Sequence, residues 1–481
     1  MWRGRVLLLV RGVEVLCFFL FSVTPGAFGS STEPTDPAVY QERKDRSWCG
    51  PKHEDDPLPG LDDAACAKRF PPLFDRDFHC PSTWPRESMQ GFQLPTGRAE
   101  DLDVSSELAH LVPTDTAADA KVAIAVLRRE AAGAQPLVRF LGNGAERRPH
   151  QPWSSSKMLA AAHAAARLRS IQPNLGLDAV AAGTPLADMI TIIASYDLND
   201  TRPGVSSNAL GAYFHALGGH QDANRYLHEV IGANANESFG GNYGEPIPSS
   251  LSYTLQPGSV PTAPVSVPPD GTPIPPINNS MSCLTMAEWL RRIVCVRNDS
   301  SLDTFLIRDA RFEGKTQRLA AEPTAWVDSA ALLYGAPSSA LFPGLQWGGL
   351  SMGTDIYLQL ALNLTAVETR SKGLWRIFSK LGAGISSTAH PGEFEITLNA
   401  YGCFPVVADD GSSSVPGRGL EFVLSAAVVG KGQDGRAADA AMRDLVANVT
   451  QYLLLRYDGA PRDGRILDLR HLNRYSTSTW L

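Results

Sequence analysis

The chain has 481 residues, 43% hydrophobic and 19% charged, an ordinary globular balance whose length alone suggests two or three domains. A formal net charge of −7 is the wrong sign for the basic face that phosphate binding demands, so no nucleic-acid partner is expected. Lysine is scarce, with nine among 43 basic residues, which gives weight to any lysine inside a motif.

The first residues read as an export signal. Arg3 and Arg5 precede the apolar run Val15–Val23, and Ala27-Phe28-Gly29 offers small residues for cleavage. Arg11 and Glu14 interrupt the apolar stretch, so no membrane span is expected in the mature form; a retained signal-anchor is the lesser alternative. No later segment approaches the ~20 apolar residues of a span. Without Cys17, the cysteines Cys49, Cys66, Cys80, Cys283, Cys295 and Cys403 form an even set, as suits a disulfide-bonded secreted chain, and Cys283–Cys295 is the first pairing to expect. No C-x-x-C or His-rich spacing suggests zinc, and no cofactor is expected. N-x-S/T sequons at Asn199, Asn236, Asn278, Asn298, Asn363 and Asn448 agree with a secreted glycoprotein.

Residues 30–115 are rich in Pro, Asp and Cys and read as an irregular extension. Strands are predicted at Lys121–Arg129 and Pro136–Gly142, with a turn at Ala132-Gly133-Ala134. Ser154–Arg169 is Ala-rich without Gly or Pro and predicts a helix. Leu186–Ser195 and Asn208–Leu217 also read as helices, separated by the polar turn Asp197–Val205. Leu251–Ser280 turns to Pro, Ser, Thr and Val and reads as an insertion that adds no core element. Met286–Val294 returns to helix, Glu393–Ala400 and Leu420–Val429 to strand, and Ala437–Leu454 closes as an amphipathic helix. The fold class is α+β: an antiparallel sheet formed from both chain ends with a mostly helical subdomain between them. The expected organisation is a signal peptide at 1–29, the extension at 30–115, one domain at 116–460 with the Pro-rich insertion 251–280, and a tail at 461–481.

Three short patterns carry the chemistry. Ser154-Ser155-Ser156-Lys157 gives S-x-x-K, Ser206-Ser207-Asn208 gives S-x-N, and Lys380-Leu381-Gly382 gives K-x-G, each once in the chain. A serine hydroxyl needs a neighbouring base to become a nucleophile, and residues i and i+3 of a helix share a face, so Lys157 can serve Ser154. Burial and a second cation, Lys380, would lower the Lys157 ammonium pKa enough for that role. Lys380 would also attract a substrate carboxylate. Ser206 would relay a proton to the leaving nitrogen, and Asn208 would hold Lys157 or a substrate amide. The backbone N–H of Ser154 and one from the strand after Lys380 would form an oxyanion hole. Each motif alone has a plain structural reading: Ser154 and Ser206 as helix caps, Lys380 as a solvated turn residue. Their joint order is what favours function.

In that order they resemble the motifs of penicillin-recognising serine enzymes, the class A β-lactamases and penicillin-binding proteins. Ser206–Gly219 (SSNALGAYFHALGG) is similar to the family's S-D-N helix, Met286–Val294 to a later helix, and Trp375–Gly384 (WRIFSKLGAG) to the strand carrying K-[ST]-G-A-G. The resemblance spans roughly Lys121 to Tyr457 without the Pro-rich insertion. It implies Lys380 and Gly382 in substrate binding and Ala383 as the second oxyanion-hole donor. Ser207 replaces the central Asp of S-D-N, and Leu381 replaces the hydroxyl that helps bind the substrate carboxylate. Glu245 lies where the family's water-activating glutamate would, but Ile247-Pro248-Ser249 does not complete the E-x-x-L-N pattern. An exposed loop carboxylate is the equal alternative for Glu245. The expectation is a secreted serine hydrolase cleaving a β-lactam or related small amide through an acyl-enzyme on Ser154. The alternative is an impaired relative serving as a binding or structural module.

Overall fold

In the computed structural model the frame is a six-stranded sheet assembled from two distant parts of the chain. The structure describes residues 80–94, 98–131, 134–195, 206–257, 263–269, 278–295, 328–329, 331–333, 350, 356–386, 390–411, 413–432 and 435–459, all within one unit, Ser47–Leu481. The expected signal, Cys49, Cys66, the 197–205 turn, Asn199, Asn298 and the 461–481 tail lie outside them.

The first part supplies β1 (Val104–Ser105), β2 (Ala117–Arg128) and β3 (Leu137–Gly142). The central region holds α1 (Lys157–Ile171), β4 (Val180–Ala181), β5 (Thr184–Pro185), α2 (Leu186–Ser195), α3 (Ser207–Gly218), α4 (His220–Arg225), β6 (Thr254–Gln256), β7 (Val265–Ser266) and α5 (Cys283–Val294). The last part gives α6 (Ile356–Ala361), α7 (Leu364–Ser371), β8 (Arg376–Ile385), β9 (Phe394–Val407), β10 (Ser414–Gly430) and α8 (Arg436–Arg456). The sheet order is β1–β3–β2–β10–β9–β8, antiparallel except for the short β1. β2 pairs with β10, for example Ile124 with Leu424, and this seam joins the two halves of the chain. The α+β class read from the sequence is the class observed.

Both faces of the sheet are covered, and strand alternation sorts the side chains. Val122, Ile124 and Val126 join Met442, Leu445 and Val449 of α8 in one core. Ala123, Ala125 and Leu127 point the other way and join α1, α3 and α5 in a second core. Ala160–Ala162 and Ala164–Ala166 of α1 are all buried, so this helix is enclosed on every side rather than amphipathic. Small side chains let its neighbours approach closely. Each larger core side chain, such as Leu445, contributes about 1.5–3 kcal/mol by leaving water.

Three findings revise the sequence reading. Cys283 and Cys295 stand at opposite ends of α5 and are both free thiols. At 1.5 Å per residue the helix keeps them about 18 Å apart, far beyond the reach of a bridge. Cys80 instead bonds Cys403 of β9, with Cα atoms 5.7 Å apart. The Pro-rich stretch, expected to add no core element, contributes β6 and β7, which join β4 and β5 in a small sheet and bury Leu255 and Val267. Strands of two or three residues are too short to show a period between prolines. The described part of the expected extension packs as well: Trp84, Met89, Phe92 and Leu108 sit in the α8-side core, and Arg128 lies over the Trp84 ring at 3.8 Å. Of the sequons described, Asn236, Asn278 and Asn363 are exposed, whereas the Asn448 amide donates to Leu111 O and is half-buried.

The disulfide closes a loop spanning most of the domain. Cys403→Ser should lower the unfolding free energy by about 2–5 kcal/mol. Denaturant midpoints of the variant, and of the reduced parent chain, should fall together; no change in either would show that the bridge constrains nothing.

Candidate active site

The S-x-x-K motif sits where a turn enters a helix. Trp153–Ser156 is one 3-10 turn and α1 follows from Lys157, so Ser154 precedes the α-helix that the sequence placed it in. In a 3-10 turn, i and i+3 eclipse, which stacks Lys157 on the same face as Ser154. Ser154 is half-buried, and no hydrogen bond of its hydroxyl occurs among the described residues. Ser155 and Ser156 turn inward, Ser155 Oγ donating to Pro152 O (2.5 Å) and Ser156 Oγ to Trp153 O (2.9 Å).

Lys157 is 1% exposed. Its amine donates to Asn208 Oδ1 (2.5 Å) and Ser207 Oγ (3.0 Å), linking the start of α1 to that of α3. Burial depresses its pKa to about 7, against the opposing pull of the Glu245 carboxylate. The site thus contains an amine that can be neutral near physiological pH. Close packing fixes its stem: a Cβ on Gly211 would fall 2.9 Å from Lys157 Cγ and 3.0 Å from the Tyr243 ring. The Tyr243 ring centre lies 5.7 Å from the amine, and its hydroxyl is 3.2 Å from Ser156 Oγ.

Ser206 caps α3, accepting from Ala209 N at 3.0 Å, and its hydroxyl also donates to Glu245 Oε2. The other Glu245 oxygen accepts from Asn208 Nδ2 at 3.0 Å. One carboxylate therefore grips both ends of S-x-N. Glu245 itself lies exposed in a loop, as one of the two sequence readings had it.

Lys380 is fully buried on β8 and donates to Leu381 O at 3.0 Å. Burial, and then the Lys157 charge, push its pKa well down, so the two amines lie within electrostatic reach. The expected solvated-turn alternative for Lys380 is not what the structure shows. β8 is the open edge of the sheet and presses on the turn bearing Ser154: a Cβ on Gly382 would fall 2.7 Å from Pro152 O and 2.8 Å from Ser155 N. Ser386 N donates across to Glu393 O, and the register alternates from there. Gly384 and Gly382 therefore face β9, and the Ala383 N–H points out from the free edge. Leu381 leans on the α8-side core and adds no polar group.

The structure thus brings Ser154, Lys157, Ser206, Asn208, Glu245, Lys380, Gly382 and Ala383 to the junction of α1, α3 and β8. Sequence reading missed four neighbours. Ser207, passed over as the altered middle of S-D-N, is a direct acceptor for Lys157. Tyr243 and Glu395 carry no motif. Trp153 could not be recognised either, yet its φ of +51° is left-handed, which costs a non-glycine residue about 1–2 kcal/mol. Among the described residues no group of three or more His, Cys, Asp or Glu could hold a metal ion.

No protein-family model matches the chain, and no curated protein matches it in sequence. Solved structures do resemble it. A β-lactamase from Burkholderia ambifaria is 14% identical over 73% of this chain and 98% of its own, with a TM-score of 0.36. The structure of PBP-A is 13% identical over 78% and 99%, with a TM-score of 0.37. The TP domain of penicillin-binding protein 3 from Burkholderia pseudomallei is 12% identical over 76% and 100%, with a TM-score of 0.34. Superposition this partial leaves any functional reading to rest on the residues of this chain.

Lys157 carries a pH dependence of stability. Its folded pKa is lowered, so between about pH 7 and its ordinary value near 10 the unfolded chain holds a proton that the folded chain does not. Stability contributed here is lost as pH falls through that window and stays low below it. Lys157→Met should flatten the rise in unfolding free energy between about pH 7 and 10; identical slopes in the two proteins would contradict a buried, depressed amine.

Proposed function

We propose that the protein is a serine hydrolase of β-lactamase-like type, cleaving a small amide through an acyl-enzyme on Ser154. The observation that supports it is the buried Lys157 amine, its pKa lowered to about 7, one turn from a half-buried Ser154 whose hydroxyl has no hydrogen bond among the described residues. Lys157 takes the Ser154 proton as Oγ attacks the carbonyl, and the N–H groups of Ser154 and Ala383 stabilise the oxyanion. As the C–N bond breaks, the proton passes to the leaving nitrogen through Ser206. Glu245, which already accepts from Ser206 and Asn208, is assigned to the water that hydrolyses the ester. Lys380 and Gly382 are assigned to the substrate side; Lys380 is buried with its charge disfavoured, so it would meet a substrate anion as a cation only on taking up a proton.

The same proposal places the chain in the secretory route, supported by its leader-like first residues and by the Cys80–Cys403 bridge, a bond that persists in oxidising compartments. A second reading, a binding module on the same scaffold with its activity lost, is favoured by two observations. The Lys157 amine bonds Ser207 and Asn208 rather than Ser154, and Leu381 puts no hydroxyl between Lys380 and Gly382.

A fluorescent alkyl fluorophosphonate and a fluorescent penicillin separate the two. The parent chain should become labelled, Ser154→Ala should not, and Lys157→Ala should label at least about 100-fold more slowly. Labelling of the parent should rise with pH through about 7 as Lys157 loses its proton. Equal labelling of the parent and Ser154→Ala would remove the hydrolase reading, and an unlabelled but folded parent would favour the binding module.

A further inference from the structure

We propose that Trp153 is a positioning residue for Ser154, its indole spanning β8 and β9 so as to hold the turn that aims the Ser154 N–H and hydroxyl into the cleft. This rests on the reading of Ser154 as a nucleophile. Trp153 immediately precedes Ser154 and has φ +51°, a left-handed backbone that a bulky residue keeps only when outside contacts impose it. Two such contacts are present, one on each strand. The six-membered edge of the indole fills the space over Gly384, where a Cβ would fall 2.4 Å from the ring. The indole Nε1–H donates to Glu395 Oε2 at 3.2 Å. Gly384 and Glu395 are register partners across β8 and β9, so the ring rests on a single rung of the sheet.

The partner carboxylate is itself set firmly. Glu395 is 1% exposed, and the charges of Lys121 and Asp119 act on it in opposite directions. Lys121 is in turn held by Asp119 at 2.6 Å, and Arg148 bonds the other Asp119 oxygen at 2.8 Å. The Trp153–Glu395 hydrogen bond thus ties the backbone one residue before the reacting hydroxyl to a buried side chain of β9. Gly382 keeps β8 against the same turn from its other side, so the turn cannot shift without moving the edge strand. Misplacement of a reacting group by about 1 Å is enough to cost much of its rate.

The test uses the full chain and the fluorescent fluorophosphonate, with labelling followed in time at several probe concentrations to separate the limiting rate from the apparent affinity. Trp153→Gly keeps the left-handed backbone but removes the indole, and Glu395→Leu removes the acceptor. Both should lower the limiting rate about tenfold or more at full final labelling, with affinity within about twofold. Glu395→Gln, which keeps an acceptor oxygen, should restore the rate to within about twofold of the parent. A purely structural role would instead reduce the final extent of labelling along with the melting temperature, leaving the rate of the folded fraction unchanged. That result, or parent-like rates in Trp153→Gly and Glu395→Leu, would overturn the assignment while leaving the nucleophile intact. Failure of the parent itself to label at Ser154 would remove both readings together.

Discussion

The buried amine of Lys157 is the constraint around which the rest of the site is arranged. An ammonium taken out of water is strongly disfavoured unless it is hydrogen-bonded or loses its proton, and here both responses operate. Asn208 and Ser207 supply acceptors from the start of α3, while burial brings the pKa to about 7. Those bonds link the openings of α1 and α3, and they leave no slack: Gly211 is glycine at the point where any side chain would strike the lysine stem. Tyr243 closes the same space from the loop that also delivers Glu245.

A second constraint is the approach of an edge strand to a turn. Among the described residues β8 pairs with β9 on one side only, which leaves its alternate N–H groups directed away from the sheet. Gly382 and Gly384 have no Cβ at the two places where the strand meets Pro152, Ser155 and the Trp153 ring. Sheet and helical region therefore approach at backbone distance at the turn that holds Ser154. A long reach of β10 against β2 and the Cys80–Cys403 bond keep the sheet that supports it from parting.

The cleft is also defined by what its sequence omits. Leu381 turns its apolar side chain to the α8-side core, and the hydroxyl of Thr397 on β9 donates to Pro152 O at 2.9 Å. Ser206, Asn208 and Glu245 form a hydrogen-bonded polar cluster at the start of α3.

The sequence by itself determined the α+β class, the main strands and helices, and the ordered trio of motifs. Long periodic segments such as α8 and the Ala-rich α1 are local properties and are legible one residue after another. It also determined that Ser154 and Lys157 share a face, since three residues of turn or helix allow little else. Tertiary structure decided what depends on distant parts of the chain meeting. The Cys80–Cys403 pairing joins residues that no spacing rule connects, whereas the nearby cysteines of α5 are held apart by the helix between them. The small strands inside the Pro-rich stretch exist because β4 is there to pair with them. Glu245 and Ser207 acquired partners, Tyr243 a place beside the amine, and Trp153 its left-handed turn, only once α3 and the edge of the sheet had closed around Lys157. Burial, which sets the charge of that lysine, is a property of the assembled cores and cannot be written in any one segment.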